Sequence, residues 1–111
     1  MQVNVKGIVS AEPDFPLRLW VSRGGAHVSV LDYDGRQLWL RWVEPGRCHY
    51  GEQRWLLGAA KRKGYCVLSG LRISRGDTVF RPCGPHIPLN ADRMILAQQV
   101  ELALGVSATV S

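Results

Sequence analysis

The sequence predicts an α+β domain: a small, strongly bent antiparallel sheet or open barrel of about five strands, with one inserted helix and one C-terminal helix. Three observations lead there. The 111 residues carry 46% apolar and 21% charged side chains, the makeup of one globular core in a chain too short for two. Between residues 26 and 43, apolar side chains alternate with polar ones around Asp34-Gly35, the pattern of a hairpin with one buried face. Turn residues then recur at short intervals after Lys63, leaving room for short strands only until a last run with helical spacing.

At the N-terminus, Pro13 and Pro16 separate the apolar pieces Gln2 to Val9 and Leu17 to Val21, either of which suits an edge strand. Residues 1–15 therefore read as an N-terminal arm or edge strand, 16–105 as a single domain, and 106–111 as a tail of small residues. Within the hairpin, a three-residue loop Tyr33-Asp34-Gly35 pairs Asp32 with Arg36, Val30 with Leu38 and Val28 with Leu40. That register puts Ala26, Val28, Val30, Leu38, Leu40 and Trp42 on one face and His27, Ser29, Gln37, Trp39 and Arg41 on the other. After the turn at Glu44-Pro45-Gly46, Gly51 to Lys63 shows a helical stripe of Trp55, Leu56, Ala59 and Ala60, with Gly64 as its stop.

Tyr65 to Leu68, Leu71 to Ile73 and Thr78 to Arg81 read as short strands separated by Ser69-Gly70 and Arg75-Gly76-Asp77, and Pro82 closes the last. Cys83 to Leu89, with Gly84, Pro85 and Pro88, is loop. Asn90 is then placed to cap a helix that ends near Gly105 and turns Met94, Ile95, Gln98 and Leu102 inward. Trp42 and Trp55 belong to the core.

The net charge of +5 is concentrated. From Arg54 to Arg81 the chain holds Arg54, Lys61, Arg62, Lys63, Arg72, Arg75 and Arg81 against Asp77 alone, a local charge of +6. Such a window attracts polyanions, whereas a dispersed balance serves solubility. No apolar run reaches the roughly 18 residues that cross a bilayer, and residues 1–10 lack the regions of a signal peptide. A cytoplasmic protein with no membrane partner is expected, its three cysteines reduced.

Four motifs stand in order along the chain: Cys48-His-Tyr-Gly-Glu-Gln-Arg-Trp55, Gly64-Tyr-Cys-Val-Leu-Ser-Gly70, Ile73-Ser-Arg-Gly-Asp-Thr-Val-Phe-Arg-Pro82 and Asn90-Ala-Asp-Arg-Met-Ile-Leu-Ala97. Together they resemble a family of small uncharacterised proteobacterial proteins, a domain of unknown function. The resemblance covers about half of the chain and implies organisation only: a hairpin, a helix with the Gln-x-x-Trp element, a Cys-centred strand pair and a final Met-Ile-Leu helix. It carries no activity and assigns no catalytic residue.

Three kinds of chemistry are open to these residues. Phosphate contact from Lys61, Arg62, Lys63, Arg72, Arg75 and Arg81, with Trp39 and Tyr65 as stacking groups, would make a nucleic-acid-binding or regulatory module without catalysis. Protein recognition is the alternative, either of an acidic surface by these cations or through His27, Trp39, Arg41 and Val43 with the basicity incidental. The third is a zinc site from Cys66, Cys83 and His86, with Cys48 or His49. Cys83-Gly-Pro-His86 has knuckle spacing, but Ser69 stands where Cys66-Val-Leu-Ser-Gly70 would need a second thiolate, so no cofactor is expected. A Cys48/His49 nucleophile is disfavoured because neighbours on a strand point apart. Glu52 and Asp92 are read as first-turn acids of the two helices and Asp77 as a turn former.

Overall fold

A computed structural model of the protein describes residues 19–21 and 25–105. The elements are β1 (Leu19–Val21), β2 (His27–Tyr33), β3 (Gln37–Glu44), β4 (Cys48–Ala59), β5 (Gly64–Tyr65), β6 (Arg72–Ile73), β7 (Thr78–Pro82), β8 (Ile95–Leu96) and α1 (Ala97–Leu104). Six strands form one antiparallel sheet in the order β1-β2-β3-β4-β7-β8, strongly curled into a half-barrel, while β5 and β6 pair separately. This is the expected bent antiparallel sheet with a C-terminal helix. Leu19–Val21 is its edge strand; the readings of 1–15 as an arm and 106–111 as a tail lie outside the described residues.

The predicted hairpin forms with its faces as expected and its register shifted. Ala26, Val28, Val30, Leu38, Leu40 and Trp42 are all buried. Val28 opposes Trp42 and Val30 opposes Leu40, two positions from the expected partners, and nearer the tip Asp32 opposes Trp39 and Tyr33 opposes Leu38. The turn explains this shift. Asp34 Oδ1 accepts the amides of Arg36 at 2.9 Å and Gln37 at 2.7 Å, drawing the loop toward Arg36, and a bulge at Leu31 restores the parity of the faces.

The inserted helix expected over Gly51 to Lys63 is instead the long strand β4. Pro45 and Gly46, the latter at φ 77°, make the reverse turn from which β4 returns along β3, with Arg47 N–H donating to Glu44 O at 2.9 Å. Leu40 opposes Gln53 and Trp42 opposes Tyr50, so Gly51 and Glu52 together face Arg41. This bulge puts Tyr50 and Gln53 on the same side, and the helical stripe expected from Trp55, Leu56, Ala59 and Ala60 does not form. Leu56 and Ala59, assigned to that stripe, are exposed. Trp55 to Ala59 then pair onward with Pro82 to Thr78, so β4 carries the sheet from its first hairpins to its last strands.

The C-terminal helix begins at Ala97, seven residues after the expected cap, and ends at Gly105 as read. Asn90 is not a cap: it is fully buried and its amide faces Gln53. Met94 bridges to Cys66, and Ile95 and Leu96 pair with β7. Of the four residues assigned to the inner face of the helix, Met94 and Ile95 are buried ahead of it, while Gln98 and Leu102 are exposed; Ala97 and Val100 make the buried contacts. Val79 and Phe80 are successive residues of one strand, both fully buried, so β7 is covered on both faces.

Trp42 and Trp55 anchor the core with ring centroids 5.7 Å apart. Each indole N–H is satisfied two residues away on its own strand, Trp42 by Glu44 Oε1 at 3.1 Å and Trp55 by Gln53 Oε1 at 3.0 Å. Gln53 and Asn90 exchange two amide hydrogen bonds of 2.9 Å, while Glu44 Oε2 accepts from Arg47 at 3.1 Å and Arg93 at 3.4 Å. Polar groups this deep are tolerated because they are matched.

Candidate nucleic-acid interface

β4 leaves the main sheet at Ala60, whose N–H donates to Asp77 O and whose carbonyl accepts from Gly76, both at 2.8 Å. The chain then swings out, and Lys61, Arg62 and Lys63 are exposed in this loop rather than in the last turn of a helix. Lys61 and Arg62 line an open recess of about 230 Å³ together with Arg81 of β7, Ala91, Asp92 and Met94. Among the described residues none of the three cations is ion-paired, and Arg81 Nε is buried without a hydrogen-bond partner. The recess's carboxylate, Asp92, is engaged by Arg93 at 3.6 Å. Its position before β8 also removes it from any helical first turn, as β4 does for Glu52.

Arg81 also begins a row across the outer surface of the sheet. It opposes Leu56, which in turn opposes Gln37 of β3. Two residues along, Arg54 opposes Trp39 and donates from Nη1 to Gln37 Oε1 at 2.8 Å. Residues opposite in an antiparallel ladder share a face, so Arg81, Leu56, Arg54 and Trp39 stand on one side, with exposed Arg41 following Trp39. Trp39 is half-buried and Leu56 is 40% exposed. Composition puts Arg54 in the basic window without singling it out for phosphate contact; strand alternation read through the bulge places it with Trp39. His27 and Val43, opposed at the far end of β3, belong to this same face.

The remaining basic residues do not join this set. Arg72 opposes Tyr65, which is 64% exposed, on the small sheet. It lines a different recess that also contains Asp77 and Glu101, where acids balance it. Arg75 is exposed in the turn that Asp77 closes by accepting Ser74 N–H at 2.8 Å, the role read for Asp77. Lys63 is exposed in its loop. The predicted convergence of six cations is thus a convergence of three.

The thiols take separate places. Cys66 is buried and its Sγ accepts Leu96 N–H at 3.4 Å, Cys83 Sγ lies 3.4 Å from Arg54 O, and His86 is exposed in the loop beyond. Among the described residues no three His, Cys, Asp or Glu side chains gather in a way that could hold a metal ion. Cys48 lies 3.8 Å from Glu44 Oε1, and burial followed by that carboxylate pushes its thiol pKa up, against formation of a nucleophilic thiolate. His49 is the next residue of the same strand and faces the other way. For Glu44, burial raises the pKa but is outweighed by hydrogen bonds from Arg47 and Trp42 and the charges of Arg93 and Arg47. The carboxyl group is held below its ordinary range.

A family model described as "Domain of unknown function (DUF3331)" matches residues 27–102. The chain belongs to this family. The DUF3331 match runs from the first residue of β2 into α1 and contains both the recess and the outer row. No match was found among curated proteins or solved structures. Among the described residues no helix is long and apolar enough to cross a membrane.

Proposed function

We propose that this DUF3331 domain is a non-catalytic nucleic-acid-binding module of the cytoplasm, in which Lys61, Arg62 and Arg81 contact phosphate. One observation carries the reading. Three cations line one open recess, none of them is ion-paired among the described residues, and the acid beside them is already engaged by Arg93. Guanidinium groups not paired with a carboxylate suit the geometry of a phosphate, and a lysine adds a movable point charge.

Binding of fluorescently labelled oligonucleotides, followed by anisotropy at low and moderate salt, tests this. Affinity is expected to fall with salt at a log–log slope of about −2 on single strands, the value for three phosphate contacts at about 0.7 each. Lys61→Ala with Arg62→Ala should flatten the slope. Absence of binding to any DNA or RNA at low salt would overturn the proposal.

Protein recognition is the second reading. It is favoured by Ile87, 90% exposed, and Leu89, 55% exposed, in the loop after β7, large apolar side chains that no core demands.

A further inference from the structure

We infer that the nucleic acid bound is single-stranded, and that it crosses the outer surface of the sheet with a phosphate in the Lys61/Arg62/Arg81 recess and a base stacked on Trp39. This rests on the proposed phosphate-binding role and adds the strandedness and the path.

The path follows from the register. Arg81, Leu56 and Gln37 lie on three neighbouring strands, and Trp39 is two residues beyond Gln37 on the same face. With strands about 4.8 Å apart and about 3.4 Å per residue along them, the Cα atoms of Arg81 and Trp39 are separated by roughly 12 Å. Stacked nucleotides rise about 3.4 Å each, so a partly unstacked strand covers this distance in roughly two to three nucleotides. Leu56 provides an apolar floor between the two ends. Arg54, opposite Trp39, donates to Gln37 and so keeps its guanidinium on this face, while the exposed Asp32 opposes Trp39 from β2.

Trp39 is suited to stacking because its indole is partly open and has no hydrogen-bond partner among the described residues. The core tryptophans Trp42 and Trp55 are fully buried with their indole N–H groups bonded, whereas Trp39 is half-buried on the opposite face of β3 with no hydrogen bond among the described residues. A base released from a helix offers a π-face to such a ring; a base in a duplex does not. The duplex alternative also lacks its usual reader. The α-helix among the described residues, Ala97–Leu104, contains Glu101 and no lysine or arginine, so it has no cations to bring to the phosphates of a groove. The row from Arg81 to Trp39 spans three strands of a curled sheet, broader than the two-stranded ribbon that a major groove of about 12 Å admits.

Anisotropy titrations of one sequence as single-stranded DNA, single-stranded RNA and duplex DNA test the inference, with wild-type protein, Trp39→Ala and Trp39→Phe. The single strands should bind more tightly than the duplex, and comparison of the DNA and RNA arms identifies the preferred sugar. Trp39→Ala should weaken single-strand binding about ten-fold, the loss of one base–aromatic stack, without altering the salt slope. Trp39→Phe keeps a stacking ring, so it should keep most of the affinity while losing the tryptophan quenching that accompanies binding in the wild type. Equal affinity for duplex and single strands, or unchanged binding by a folded Trp39→Ala protein, would overturn the inference and leave the phosphate-binding proposal standing. Failure of the wild type to bind any of the three nucleic acids at low salt would overturn both.

Discussion

Trp42 and Trp39 belong to the same strand and face opposite ways, and their surroundings differ in kind. Trp42 lies against Trp55, donates to Glu44 and has the Arg93 guanidinium 5.9 Å from its ring centroid. On the outer face Trp39 has Arg54 opposite it on β4, Asp32 opposite it on β2 and Arg41 after it on its own strand, with Leu56 and Arg81 in the next row. Inside, each cation has an acid: Arg47 and Arg93 both reach Glu44. In the outer recess Asp92 is engaged by Arg93, and Lys61, Arg62 and Arg81 make no ion pair among the described residues. A charge that is paired within the fold has been explained by the fold, and one left unpaired beside a cavity has not. This distinction separates structural from functional basic residues more reliably than the density of cations along the chain.

The inner site should be the sensitive one. Trp42→Ala removes a fully buried ring, its stack on Trp55 and one donor to Glu44, and should cost about 3–5 kcal/mol in urea unfolding. Against a total stability of about 5–15 kcal/mol this brings the domain close to unfolding. A cost near that of an exposed residue would mean that the packing of the two tryptophans does not hold the sheet together.

Glu44→Gln tests whether the inner network depends on charge. The folded-state pKa of Glu44 lies below its reference value of 4.5, so the stabilisation from its carboxylate is fully present above about pH 4.5 and is lost as pH falls through the lowered value. The variant should be about 1.5 kcal/mol less stable than wild type at neutral pH, and the difference should shrink in acid. Unfolding midpoints measured at both pH values check this. A difference that does not change with pH would place the effect in shape rather than charge.

The smallest effect on stability belongs to the outer recess. Lys61→Ala with Arg62→Ala should move the thermal midpoint by less than the equivalent of about 0.5 kcal/mol each, since exposed, unpaired side chains support nothing in the fold. A large loss would show that these residues are structural after all, and would erase the contrast with Glu44.

The sequence disclosed the two surfaces unevenly. Alternation in Ala26 to Val30 and in Leu38 to Trp42 was enough to sort the buried face of the first hairpin, because a period of two has one interpretation. β4 differs from the expected helix because Trp55, Leu56, Ala59 and Ala60 fit helical spacing over so short a run, whereas only Trp55 and Ala60 of these are buried and the distant pairing with β7 decides for a strand. Asn90 was misread for a related reason. Its polar side chain suits a helix cap and a buried amide pair equally well, and only the approach of Gln53, remote in the chain, decides between them. The recess was legible as composition and not as geometry. Lys61 and Arg62 reach Arg81 because β4 runs on to pair with β7, which no local pattern in the chain announces.

The place of β4 between β3 and β7 also bears on the order of assembly. β2, β3 and β4 are joined by tight turns and can pair as soon as they are made, whereas β7 reaches β4 only after the chain from Ala60 to Asp77 has looped back. The recess straddles that late seam, with Lys61 and Arg62 on one side and Arg81 on the other. An anion held there would act as a clasp on this long-range joint of the sheet, slowing amide hydrogen exchange along Leu56 to Ala59 ahead of any change in the first hairpin.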